Sequence, residues 1–220
     1  MSNFNLISVV NTVAPKFESI DSEIYSLRRQ YSNLTNNQLA DKYCSSIVKK
    51  YTSIGVVTAL PSVIPGIGTA AQIATEVGTV GADLAMMLRY MASICYGTAK
   101  IYGKENVNEF DAEFVMVLGL WCGAVLPARV AAQKLGTKAA SIAFSKNVST
   151  KILQRINAKV GFTLLTKYGS KRGGIALGKL IPFGVGAVIG GGFNNVTMRS
   201  FRKAAINRYK SNEEEYVLVE

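Results

Sequence analysis

The chain has 220 residues, 49% of them hydrophobic and 18% charged, with 25 Lys+Arg against 14 Asp+Glu and no His. This length allows one or two domains, and the lack of a Pro/Ser/Gln-rich or low-complexity stretch between two halves predicts one, which buries roughly 70% of its unfolded surface without staples; the composition argues against intrinsic disorder. Without His there is no Ser-His or Cys-His nucleophile and no His-ligated zinc or iron site, and the three dispersed cysteines (Cys44, Cys95, Cys122) form neither a disulfide framework nor a CxxC knuckle.

The opening residues 1–15 carry no basic n-region, so no signal peptide is expected and a reducing, cytosolic compartment fits best. Residues 16–31 predict a helix with Phe17, Ile20, Ile24, Leu27 and Tyr31 at helical spacing. Its acids precede its Arg pair, as the helix dipole favours. Thr35 is placed to cap a second helix, Asn36–Lys50, with Leu39, Tyr43, Ile47 and Val48 on one side. Between Tyr51 and Leu88 there is no Lys or Arg, and Pro61, Pro65, Gly66 and Gly68 predict an apolar segment, a turn, and a long helix over 67–102 with Gly103 as its C-cap.

Residues 107–134 predict a further apolar helix interrupted at Pro127. Residues 137–168 read as a basic amphipathic helix. Val148, Ile152, Ile156, Val160 and Leu164 recur every four residues, with Lys151, Arg155 and Lys159 alongside at the same period. Eight glycines between Gly173 and Gly192 suit close helix approach or an apolar medium, and a basic segment follows them. No sustained period-two alternation occurs, so the fold class is all-α: a single helical domain of about six to eight helices. The expected organisation is an N-terminal helical segment over 1–50, the main domain over 51–210, and an acidic tail over 211–220.

Charge is divided sharply along the chain. Residues 1–113 hold 9 basic and 10 acidic residues, 114–212 hold 16 basic residues and no acid, and 213–220 hold four Glu. The positive charge of the second half must therefore face water, the acids of the first half, or an anionic partner. Its basic residues alternate with Gly/Ala/Val/Ile-rich runs and match no nucleic-acid-binding module, which favours an anionic lipid surface over nucleic acid. No segment has the roughly 20 uninterrupted apolar residues of a single-pass span. Candidate contacts are Lys151, Arg155, Lys159, Lys171, Arg172, Lys179, Arg199, Arg202, Lys203 and Arg208.

On the 67–102 helix, Gln72, Glu76, Asp83 and Tyr90 fall within about 40° of one another. This polar stripe reads as a solvent-facing edge, as a partner for the basic half, or as a metal or proton site. The two carboxylates would lie about 10 Å apart along the axis, far for one shared metal. Pro65–Thr69 (PGIGT) and Gly184–Gly192 (GVGAVIGGG) lack the spacing of phosphate-binding loops and read as helix breaks and packing positions. Cys95 and Cys122 lie in apolar runs and read as buried, inert thiols, and Trp121 reads as core.

Two blocks carry a family resemblance: LPSVIPGIGTAAQIATEVGTVGADLAMMLRYMASICYG and LGKLIPFGVGAVIGGGFNNVTMRSFRKAA. Their order and spacing resemble the EcsC family of bacterial proteins over residues 54 to about 206. The family-like positions are Pro65, Gly66, Asp83, Tyr96, Gly97, Pro182, Gly186, Ala187, Gly190 and Asn194, and none is a catalytic residue. The second block is richer in glycine than the family pattern and has a paired Asn194-Asn195. The resemblance implies a helical, membrane-associated bacterial protein. The expectation is a non-enzymatic protein without cofactor or metal, at the cytoplasmic face of the membrane, peripheral or partly inserted. It would bind anionic lipid through its basic half, with a membrane protein complex as a second candidate partner. The alternatives are a pore-forming or membrane-damaging effector whose hairpins at 54–88 and 112–128 insert, and a nucleic-acid-binding protein.

Overall fold

The computed structural model describes residues 10, 13–54, 82–135, 143–144, 154, 156, 192–212 and 215–218. Their elements run, in chain order, α1 Phe17–Gln30, α2 Asn36–Ile54, α3 Ala82–Tyr102, α4 Phe110–Cys122, β1 Val125–Pro127, α5 Ala128–Leu135, β2 Ala143–Phe144, α6 Gly192–Lys210 and β3 Tyr216–Leu218. The all-α class holds, with one small sheet added.

The capping chemistry explains the helix bounds. Thr35 and Gln38 form a reciprocal capping box at the start of α2: the Gln38 amide N–H donates to Thr35 Oγ1 (3.3 Å), and Gln38 Oε1 accepts from the Thr35 N–H (2.9 Å). Gly103 (φ 68°) ends α3 in a Schellman turn, with its N–H on the Lys100 carbonyl (3.2 Å) and the Lys104 N–H on that of Ala99 (2.9 Å). Gly123 (φ 73°) ends α4 the same way, through Gly123 N–H to Leu120 O and Ala124 N–H to Gly119 O. The break predicted at Pro127 therefore falls four residues earlier, where a positive φ is met by a residue without a Cβ. Pro127 itself sits in edge strand β1, where its missing N–H leaves no gap in the ladder.

Helix α3 is the centre of the core. It packs against α1, α2, α4 and α6, and every residue from Met86 to Ala99 except Arg89 is buried. A helix apolar all round can be stable in water only when enclosed in this way. Helix α1 contributes Ile20 and Ile24, and α2 contributes Leu39, Tyr43, Ile47 and Val48, the faces that the spacing predicts. Gly97 lets α2 and α3 approach closely: a Cβ there would stand 2.2 Å from Cε1 of the buried Tyr43 ring. Phe110, Phe114, Phe201 and Trp121 join α4 and α6 through edge-on and stacked rings 5.7–6.2 Å apart.

Two expectations are corrected. The sheet, order β1-β3-β2 and antiparallel throughout, was not anticipated, because strands of two or three residues are too short to display a period of two. Ala143–Phe144 lies in β2, within the stretch predicted as the 137–168 helix. Its backbone pairs with Val217 and Tyr216, a long-range contact that helical periodicity cannot report. Gln154 and Ile156 are helical, and Ile156 is fully buried beside Gly119. The remaining part of that predicted helix, the glycine-rich 173–191 segment and the 67–81 part of the predicted 67–102 helix lie outside the described residues.

Candidate anionic-surface interface

Helix α6 is the described part of the acid-free half that bears the most basic residues. It contains Arg199, Arg202, Lys203, Arg208 and Lys210 and no Asp or Glu, with Arg208 and Lys210 in its last turn, where the helix dipole favours cations. One face, built from Thr197, Met198, Phe201, Ala205, Arg208 and Tyr209, is buried against the core. The opposite face exposes Arg199, Lys203, Asn207 and Lys210. At 100° per residue the three cations fall within about 40° of one another, in a single stripe.

The five cations of α6 therefore divide into two classes. Arg202 is half-buried and held internally, with Nη1 donating to Ser45 Oγ (2.9 Å) and Nη2 to Asp41 Oδ1. Arg208 is 8% exposed and its Nη2 donates to Glu113 Oε1 at 2.9 Å. Its guanidinium also lies 5.2 Å from the Tyr216 ring centroid and 5.8 Å from that of Tyr209. The expectation that Arg208 contacts an anionic surface is thus corrected, because it is buried against Glu113, while Arg202, its side chain 26% exposed, is paired with Asp41. Arg199 and Lys203 stay on the surface, and Lys210, missed at first, extends their stripe by two turns. Following the period to the end of the basic run would have found it.

Lys151, Arg155, Lys159, Lys171, Arg172 and Lys179 lie outside the described residues, as do Gln72, Glu76 and the side chain of Asp83. Tyr90, the fourth member of the polar stripe, does not face solvent. It is 1% exposed, packs on Tyr51 at 5.4 Å between centroids, and its hydroxyl has no hydrogen-bond partner among the described residues. Burial pushes the Tyr90 hydroxyl up to about 12. The apolar residues of α4, from Phe114 to Cys122, form part of the core.

Cys95 and Cys122 are buried as the sequence predicts, and Cys44 is buried with them. All three are thiols outside any disulfide. Burial pushes the Cys44 and Cys95 thiols up to about 12, with Cys44 Sγ 3.4 Å from Thr98 Oγ1 and Cys95 Sγ 3.1 Å from the Tyr209 hydroxyl. Beside Tyr209 opens a polar cleft of about 470 Å³, lined by Lys104, Glu105, Glu109, Glu113, Arg208 and Asn212 among others. Glu105 is paired with Lys100 (2.9 Å), and Lys104 donates to the Ser211 carbonyl (2.9 Å). Among the described residues no group of three or more Cys, Asp and Glu is placed to hold a metal ion, and no helix is long and apolar enough to cross a membrane.

No family model, no curated protein and no solved structure matches this chain.

Proposed function

We propose that this chain is a non-enzymatic helical protein of EcsC type that docks on anionic lipid surfaces through its basic half. The observation that carries the reading is the stripe Arg199, Lys203 and Lys210. These are exposed cations on a helix without an acid, in a 99-residue stretch that contains none. The other two cations of α6 are matched to Asp41 and Glu113, whereas these three face outward. A basic side chain near an anionic surface contributes about 1 kcal/mol, so the stripe alone contributes about 3 kcal/mol, or roughly a hundredfold in affinity at moderate salt. A membrane protein complex offering acidic groups at the same surface is a second candidate partner.

The test is sedimentation with vesicles of phosphatidylglycerol and, separately, of phosphatidylcholine. Binding is expected to the first only. It should fall about a hundredfold in an Arg199→Gln/Lys203→Gln/Lys210→Gln variant and be reversed by high salt. Equal binding by the variant refutes the stripe. Binding that resists salt and carbonate, and yields to detergent alone, would favour membrane insertion instead. Nucleic acid co-purifying with the protein would favour the third reading.

A further inference from the structure

The cleft beside Tyr209 lies where three helix ends meet: the turn after α3, the first turn of α4 and the end of α6. Its volume of about 470 Å³ falls within the range of small-molecule sites, roughly 300–1,000 Å³. Such sites are usually apolar, whereas this one is lined largely by charged and amide side chains and suits a polar occupant. On its wall stands an ion pair that is only half made. Arg208 Nη2 donates to Glu113 Oε1 at 2.9 Å, but Arg208 Nε and Glu113 Oε2, both buried, have no hydrogen-bond partner among the described residues. Nε and Nη2 share one edge of a guanidinium, and a carboxylate facing that edge ordinarily takes both donors.

The Arg208 side chain is 7% exposed and that of Glu113 25%. Buried polar atoms left without a partner are costly, and for that reason rare. The terminal torsion of a glutamate is broad, so a small turn of the Glu113 carboxylate presents Oε2 to the cleft. The charges of the pair restrict what can complete it. A cation would approach Arg208 and an anion Glu113, each against a like charge that burial screens poorly. A neutral group that accepts from Nε–H and donates to Oε2 satisfies both, and an alcohol hydroxyl does so with one oxygen. The surrounding wall repeats this mixture of donors and acceptors. Glu109, one turn before Glu113 on α4, is exposed and makes no cap bond, so its carboxylate can accept from a further hydroxyl. Asn212 Oδ1 accepts from Lys104 at 3.4 Å, which leaves the Asn212 amide group as a donor.

We infer that this cleft is a binding site for a small neutral polyol of the sugar class, with one hydroxyl bridging Arg208 Nε and Glu113 Oε2 and a second donating to Glu109. The site is independent of the membrane reading above. Saturation-transfer NMR on the full chain tests it, with glucose, N-acetylglucosamine, myo-inositol and glycerol offered one at a time at millimolar concentration. A Glu113→Leu/Arg208→Met variant removes both unpaired atoms, and replacing a buried ion pair by apolar side chains of similar volume is often neutral for stability. Its thermal midpoint reports whether it is folded. A Glu109→Ala variant changes only an exposed side chain.

At least one of the four polyols is expected to show transfer from the wild-type chain, none from the folded double variant, and binding about tenfold weaker to Glu109→Ala. Inorganic phosphate and ethylamine, as anionic and cationic probes, should not displace the polyol. If none of the four binds the wild-type chain, the cleft holds water alone and the inference is overturned. Equal binding by the folded double variant overturns it as well, and so does unchanged binding by Glu109→Ala, which decides the matter if the double variant does not fold. Displacement by phosphate or ethylamine overturns the neutral class of the ligand.

Discussion

Replacing Gly97 by Ala sets two opposed effects against each other at the α2–α3 contact. In a helix interior Ala is favoured over Gly by about 1 kcal/mol, so propensity alone predicts a more stable protein. The new Cβ, however, would stand 2.2, 2.4 and 2.5 Å from Cε1, Cζ and the hydroxyl oxygen of Tyr43. Ordinary contact begins near 3.4 Å, so the ring must move by about 1 Å. Tyr43 has little room to do so: it is fully buried, and its hydroxyl donates to the Ser93 carbonyl at 3.0 Å. Overpacking of this kind costs about 1–3 kcal/mol, and a buried hydroxyl that loses its acceptor costs about 1–3 more. After the propensity gain, the net destabilisation is about 3 kcal/mol. Urea denaturation followed by circular dichroism measures it, as a midpoint lower by roughly 1.5 M at a typical slope. In a Tyr43→Leu background the same substitution should be neutral or stabilising by up to about 1 kcal/mol. A midpoint raised by Gly97→Ala, or an equal cost in both backgrounds, would refute the steric argument.

Three further outcomes follow from the charged and ionisable groups. Glu113→Leu leaves the Arg208 guanidinium, whose side chain is 7% exposed, without its carboxylate. The cost should be about 3 kcal/mol, and Arg208→Met in the same chain should restore most of it. Lys50→Gln, at a pair whose side chains are 53% and 33% exposed, should cost under about 0.5 kcal/mol by the same denaturation assay. Stability should also fall steeply in alkali. The Cys44 and Cys95 thiols ionise near 9 when unfolded and near 12 when folded, so from pH 9 to pH 12 the unfolded state has lost protons that the folded state keeps. Their combined slope approaches about 3 kcal/mol lost per pH unit above pH 10, with Tyr43 and Tyr209, both raised by burial, adding to it there. Denaturation midpoints at pH 8, 10 and 11 measure this loss. A Cys44→Ala/Cys95→Ala variant with an equally steep slope would contradict it.

Much of the architecture was legible in local pattern. The Phe17–Leu27 spacing, the Thr35 cap and the Gly103 stop depend on side chains within a turn or two of each other, and each appears in the structure where the sequence places it. The core roles of Trp121, Cys95 and Cys122 were legible too, because an apolar run with no charge has no other stable place in water. The sheet was not, since strands of two or three residues acquire their identity from partners 72 to 93 residues away. Nor was the burial of Tyr90: a polar spacing on one helix cannot report that neighbouring helices close over it.

The candidate site divides along the same line. Composition alone determined that residues 114–212 carry 16 basic residues with no acid among them, and hence that their charge must be met from elsewhere. Which cations are met inside the molecule was decided only by the packing of α6, which brings Arg202 to Asp41 and Arg208 to Glu113 and leaves Arg199, Lys203 and Lys210 outside. Charge is additive along a chain and can be counted there. Pairing requires two groups within about 4 Å, and for residues 95 and 161 positions apart only the tertiary fold sets that distance.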